Sequence, residues 1–405
     1  MKKVFLFIML LGCFGCSQDE EPLLPVYSNT DISNSYQLIT KLASEFANSI
    51  ERVTRNQSTL LTSSIYALKR SDFEMFTRSD ISYEIPDDTI MYAINFSGDR
   101  GFALVTVEKP YPEVVAYIEH GSFNPTEKNQ NRGFQMFMNN LYSYMSVRNA
   151  ISNSFDSSFI NPNQIWEIDT LARPLLTTTW CQIEPYNAYC PLKPDSVNHY
   201  DVGCVAVATA QIVAFHEYPF SYNGHYFNWQ SIKEESEPLY TNDKVSVAWL
   251  MADIGRLVDM QYDPNWSHTN SNKVAKCLDS LGYHHTGMVD YDFQTCMEEF
   301  LANRPVYIKG SVEDSVNSGH AWVVDGGIVR SMYITAPDSN GILDKVRIKT
   351  QRLIHCNWGQ RGRYDGYYLS DAMDMNSVPY YNSTRAPYNK DIQIYKEIYP
   401  LDSIH

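Results

Sequence analysis

Apolar residues fall along this chain in blocks whose period changes from one block to the next. Between Ser28 and Glu51, Leu38, Leu42, Phe46 and Ile50 recur every four residues, which predicts one face of a helix. After a polar stretch, apolar runs at Thr89–Phe96 and Gly101–Val107 predict strands, and Val114–Ile118 predicts another beyond Pro110 and Pro112. Helical spacing returns over Gly133–Val147 through Phe134, Phe137, Met138, Leu141 and Met145. From Asn149 to Asn163 the chain is rich in Ser, Asn and Pro with few periodic apolar positions, so the linker and domain boundary are placed there.

Beyond about Leu171 the pattern starts helical and ends as strands. Helices are predicted over Cys204–Glu217, Val247–Met260, Ser271–Leu281 and Thr295–Ala302. Strands are predicted over Val306–Lys309, His320–Asp325, Tyr333–Ala336, Val346–Ile348, Leu353–Cys356 and Gly366–Leu369. Helices first and antiparallel strands later indicate an α+β domain, not a doubly wound sheet.

The length of 405 residues with 44% apolar content supports two packed domains. A formal net charge of -15 excludes a broad basic face for nucleic acid. Lys2 and Lys3 precede a short apolar run, Val4–Leu11, which reads as an export signal and not a permanent membrane span. Gly15-Cys16 followed by Asp19, Glu20 and Glu21 has the form of a bacterial lipoprotein processing site, which makes Cys16 the expected lipidation site; Cys13 competes with it. A lipid on Cys16 is the expected membrane contact, and an outer-membrane or cell-surface location, or plain secretion, is the expected address.

Six cysteines follow the leader, and Cys181–Cys190 is one pairing they allow. The first 165 residues, leader aside, hold no cysteine and one histidine, His120, so nucleophilic chemistry must come from the second domain. There, Gly203 precedes Cys204 at the start of the predicted helix, where the helix dipole favours a thiolate. A cysteine nucleophile needs a base. Of ten histidines, His216 lies twelve residues along the same helix, and His284-His285 sits in a turn-like segment. His320 instead opens a strand after Ser318-Gly319, a placement that holds an imidazole rigidly at a cleft edge. Asn357 ends another strand and can fix the tautomer of that histidine, with Trp358 shielding the bond. Gln182, in Trp180–Asn187, suits an oxyanion donor alongside the Cys204 N–H. Beyond the leader no Cys-x-x-Cys pair exists and His284-His285 lacks a helical glutamate, so neither a metal nor a cofactor is expected.

The order Gln182, Cys204, His320, Asn357 and the residues around it resemble the streptopain family of papain-like cysteine peptidases. The resemblance runs through Pro185-Tyr186-Asn187, Gly203–Ile212, His216–Pro219, Leu250–Gly255, Pro305-Val306-Tyr307, Gly319-His320-Ala321, Asp325-Gly326 and Asn357-Trp358-Gly359. It extends upstream to Gly101–Val105, Pro112-Glu113-Val114 and Gly121-Ser122-Phe123, which resemble that family's inhibitory propeptide. It implies a two-lobed papain-like domain, one lobe helical and one antiparallel, preceded by an α+β propeptide that blocks the cleft. Domain limits on this reading are a signal peptide over 1–16, propeptide and linker over 17–165, and peptidase over 166–405.

The expected activity is hydrolysis of protein or peptide substrates through a Cys204 thiolate and His320 imidazolium. A non-catalytic surface module that binds proteins or peptides is the rival reading. It is motivated by Gln360 and Arg361, which replace the family's second Trp and a Gly after Asn357-Trp358-Gly359. The Arg330–Arg352 stretch is longer than the family's, and its alternation predicts an added hairpin beside the site.

Overall fold

The structure, a computed structural model, describes residues 30–54, 59–69, 72–73, 89–107, 112–127, 131–152, 165–195, 197–233, 242–264, 266–310, 319–337, 341, 343–373 and 392–403. The leader with Cys13 and Cys16, most of the expected linker and Ser318 lie outside the described residues.

In chain order the N-terminal half contributes α1 (Thr30–Thr54), β1 (Thr62–Lys69), β2 (Thr89–Phe96), β3 (Phe102–Thr106), β4 (Val114–Ile118) and α2 (Arg132–Ser152). Then come β5 (Ile165–Ala172), α3 (Cys204–His216), the short strands β6 (Ser221–Tyr222) and β7 (His225–Tyr226), α4 (Trp229–Lys233) and α5 (Asn242–Leu257). Next are β8 (Gln261–Asp263), β9 (Trp266–His268), α6 (Lys273–Ser280), β10 (Tyr283–His284), β11 (Val289–Asp290) and α7 (Phe293–Leu301). The chain closes with β12 (Val306–Gly310), β13 (His320–Pro337), β14 (Leu343–Asn357), β15 (Gly366–Leu369), β16 (Gln393–Tyr395) and β17 (Tyr399–Pro400). Among the described residues no helix is long and apolar enough to cross a membrane.

One 11-stranded sheet runs through both halves in the order β1-β2-β3-β4-β15-β14-β13-β12-β16-β11, with β5 paired to β13 beyond the end of β12. The join is β4 on β15, with Gly366 opposite Ile118 and Tyr368 opposite Ala116. Gly366 is required there, because a Cβ would lie 2.2 Å from the Tyr117 carbonyl oxygen. On one face α1 lays Leu42, Phe46 and Ile50 over strands of both halves, burying them with Tyr117, Ile328, Leu353 and Tyr367. On the other face α2 buries Phe134, Phe137 and Leu141 with Trp322, Trp358 and Tyr368. A separate helical core packs α3, α5 and α6 against Tyr307, Ala321 and Val323.

The predicted elements appear, with four differences. The expected linker start at Asn149 lies inside α2, which runs on to Ser152. Helix α4 and strands β1, β5 to β11, β16 and β17 were not anticipated; most are two to five residues long, and β1 and β5 are peripheral, with half or more of their residues partly exposed, so their alternation is diluted. The fragments predicted between His320 and Cys356 fuse into two long strands, β13 and β14. The hairpin they form does not flank the predicted site. Its tip, where Pro337 faces Leu343, is the far end of a ladder whose near end holds Val323 opposite Asn357.

Candidate active site

Gly203, at φ 91°, turns the chain into α3 so that Cys204 is the first helical residue. The helix enters tightly: a Cβ on Gly203 would meet Met260 Cε at 2.6 Å. Backbone N–H groups of Ala321 and Val205 point at the Cys204 sulfur, and with the charge of Arg132 they favour a thiolate. Burial outweighs them and pushes the Cys204 thiol pKa up. In this arrangement burial is the larger effect on the thiol, ahead of the backbone N–H groups and the Arg132 charge.

His320 begins β13. Alternation along the strand sends Ala321 and Val323 into the core that holds α3 and Cys204, and sends Trp322 and Val324 into the core under α2. The His320 ring follows Trp322: it stacks on that indole at 6.0 Å and on Trp358 at 6.2 Å. The imidazole thus occupies the opposite face of the strand from Cys204. Its Nε2–H donates to the Trp358 carbonyl at 3.1 Å, which leaves Nδ1 with the lone pair. Burial drives the His320 pKa down to about 4, against the pull of that bond. Both groups are uncharged at neutral pH.

Asn357 closes β14 with every polar atom engaged. Its Nδ2 donates to the Thr178 carbonyl at 2.7 Å, and its Oδ1 accepts from Gln211 Nε2 at 3.0 Å and Gly359 N at 3.1 Å. Gln211 in turn accepts from the Thr178 hydroxyl at 3.0 Å. The expected Asn357–His320 bond is replaced, in this arrangement, by the Trp358 carbonyl. Gln182 sits half-buried in the Trp180–Glu184 loop, and its carbonyl accepts from Val202 N at 2.8 Å, two residues before Cys204. Arg361 braces the same loop from outside. Its N–H reaches the Trp180 carbonyl and its guanidinium reaches Cys181 Sγ at 3.2 Å and the Glu184 carbonyl.

The start of α2 packs beside Trp358. Asn131 caps the helix by accepting from Gly133 N at 2.7 Å. The charge of Arg132 acts on both Cys204 and His320, and its guanidinium lies 5.1 Å from the Trp266 ring. Gly133 abuts Trp358 so closely that a Cβ would fall 2.0 Å from Cε3. Phe134 stacks on Tyr364 at 4.5 Å, and Met136 fills the space over Gly310. The start of α2 thus packs against Trp358, the residue whose carbonyl holds His320.

Residues 180–368 match the family model Peptidase C10, and residues 36–145 match the Spi protease inhibitor model. Residues 180–368 are thus a peptidase C10 region of the chain. The protein is a cysteine peptidase in zymogen form, with its inhibitor domain in the same chain. Streptopain of Streptococcus pyogenes is 28% identical over 334 residues, 71% of this chain and 75% of that protein. The thiol protease/hemagglutinin PrtT of Porphyromonas gingivalis is 23% identical over 374 residues, spanning 80% of this chain and 39% of that protein. Prevotella intermedia prointerpain A shares the fold at TM-score 0.53 and 21% identity, covering 78% of this chain and 98% of that one.

All six described cysteines are free thiols, Cys181 and Cys190 included. Cys190 is buried and pushed up to about 11, first by desolvation. His284 and His285 face Glu397 and Asp279 at the surface, and no metal-binding cluster occurs among the described residues. Gln211, Thr178 and the Asn131–Gly133 segment were not singled out from the sequence. A buried glutamine on an otherwise apolar helix was the one signal available for Gln211.

Proposed function

We propose that C10 peptidase activity in this chain is carried by Cys204 as nucleophile and His320 as proton carrier, released when the inhibitor domain leaves. The observation that carries this reading is the α2 start: Gly133 abuts Trp358, whose carbonyl holds His320, and the charge of Arg132 acts on both Cys204 and His320. With Arg132 and Gly133 withdrawn, water reaches both groups, the burial that keeps them neutral is relieved, and a thiolate–imidazolium pair becomes favourable. His320 must then turn its ring toward Cys204, and Asn357 and Trp358 are the groups that would orient and shield it.

Cys204 sulfur attacks the scissile carbonyl carbon, and Gln182 with the Cys204 N–H stabilises the oxyanion. The C–N bond breaks as His320 protonates the departing amine, leaving a thioester. Water, deprotonated by His320, attacks that thioester; the acid product leaves and the Cys204 thiolate returns. Substrates are proteins or peptides cut internally, and no cofactor enters the scheme.

The reading places the inhibitor domain and linker over 17–165 and the peptidase over 166–405, with activation by a cut between the end of α2 and β5. Support comes from β5, which pairs with β13 from Tyr333 to Gly327 and so belongs with the peptidase sheet. The leader within 1–16 supports export, with the cut between Gly15 and Cys16 and Cys16 lipidated as the new first residue. In the test, Cys204→Ala zymogen cut by an added protease should fold but lose on the order of 10⁶ in kcat and lose iodoacetamide labelling. An active Cys204→Ala enzyme would sink the assignment.

A further inference from the structure

Five residues beyond His320, strand β13 carries a second buried ionisable group. The ladder pairs Val324 with Cys356 and then Gly326 with His355, so Asp325 is the extra residue of a bulge that re-aims its side chain. Asp325 Oδ1 meets His355 Nδ1 at 2.6 Å. Asp325 Oδ2 accepts from Leu175 N at 3.0 Å and Leu176 N at 2.8 Å, and the Asp325 carbonyl also accepts from Leu175 N. Gly326 lets that segment cross directly over the strand; a Cβ would lie 2.9 Å from Pro174 N.

We propose that His355, paired with Asp325, is a positioning residue for peptide hydrolysis, fixing at one point the three segments that carry His320, Asn357–Trp358 and Gln182. The inference rests on the assignment of Cys204 and His320 as the reacting pair. His355 precedes Asn357 by two residues on β14, Asp325 follows His320 on β13, and Leu175-Leu176 lead into the Gln182 loop. A third acid extends the network: Asp365 Oδ1 accepts from Trp358 N at 2.8 Å, and the Trp358 carbonyl holds His320. Desolvation opposes a charge on His355, but the Asp325 and Glu119 carboxylates outweigh it and hold its pKa at about 10. Glu119, 3.8 Å from His355 Nε2, comes from the inhibitor domain and leaves with it. In the mature enzyme the positioning then falls to Asp325. A misplacement of about 1 Å in such a site is enough for a loss of about 100-fold.

The test uses activated enzyme carrying His355→Gln, which keeps a donor for Asp325 but removes the ring and its charge. Active sites are counted with an irreversible thiol-directed titrant. We expect kcat per titrated site to fall about 10- to 100-fold with KM little changed. The pH midpoint for iodoacetamide alkylation of Cys204 should rise toward that of a free thiol. A kcat per site within twofold of wild type overturns the proposal. So does a loss explained wholly by fewer titratable sites with an unchanged alkylation profile. Should His355→Gln fail to fold, Asp325→Asn is read in the same way. Failure of both to fold makes the pair a folding element and also overturns the proposal. Mapping the alkylated peptide keeps the two readings apart: a wild-type label away from Cys204 refutes the nucleophile, not the positioning pair.

Discussion

Gly133→Ala isolates the contact by which the inhibitor domain holds the site closed. Gly133 is the second residue of α2, and alanine there favours the helix by about 0.5–1 kcal/mol. Any weakening must therefore come from the contact surface. The new methyl would sit 2.0 Å from Trp358 Cε3 and 2.3 Å from Cζ3. Carbon atoms rest at about 3.5–4.0 Å, so roughly 1.5 Å of overlap has to be relieved. The indole has nowhere to go. It is fully buried, lies 4.9 Å from the Trp322 ring and 5.3 Å from Tyr368, and donates its N–H to the Tyr368 hydroxyl at 3.1 Å. Relief has to come from α2 backing out. Overpacking of this kind costs about 1–3 kcal/mol, which shifts the closed-to-open equilibrium by about 5- to 150-fold. The assay is the rate of iodoacetamide labelling of Cys204 in uncut zymogen, with intact mass checked at each time point. When reclosing is fast, this rate follows the open population. Lys41→Ala serves as the control, since the exposed Lys41–Glu45 pair contributes little. A Gly133→Ala rate within twofold of wild type would refute the view that this contact holds the domain in place.

Two further outcomes test the network around it. His320 has its pKa lowered from an ordinary 6.5 to about 4, so its contribution to zymogen stability is present above 6.5 and is lost as pH falls through about 4. Melting temperature of the zymogen should drop across that window, and His320→Gln should flatten the drop; an unchanged slope in the variant would remove His320 as its source. Gln211→Ala leaves Asn357 Oδ1 and the Thr178 hydroxyl each short of a partner, which should destabilise the fold by about 1–3 kcal/mol per group in chemical denaturation. A midpoint equal to wild type would show that water replaces the amide.

Much of the fold was legible because its central elements alternate or repeat cleanly. Thr89–Phe96 is buried at nearly every position and reads as a strand from residue types alone. Strand β5, Ile-Trp-Glu-Ile-Asp-Thr-Leu-Ala, carries charges on one face and gains its place only by pairing with β13, far along the chain. The order Gln182, Cys204, His320, Asn357 was visible as residue types at element ends. The rotation of His320 toward Trp322 was not, since a strand offers two faces and only the tertiary arrangement of α2 decides between them. Asp325 and His355 left a trace: ionisable residues inside otherwise apolar strand runs, which a fold tolerates only when each is answered by a partner.

The pairing of β4 with β15 has a consequence for how the molecule reaches its shape. Its two strands lie roughly 250 positions apart, so the ladder closes a very large loop and its entropic cost is met late in folding. The inhibitor domain, whose own strands are close in sequence, can assemble first and present β4 as a finished edge on which β15, β14 and β13 are laid down. Under the proposed cut, β15 loses the neighbour it has in the zymogen and becomes a strand edge.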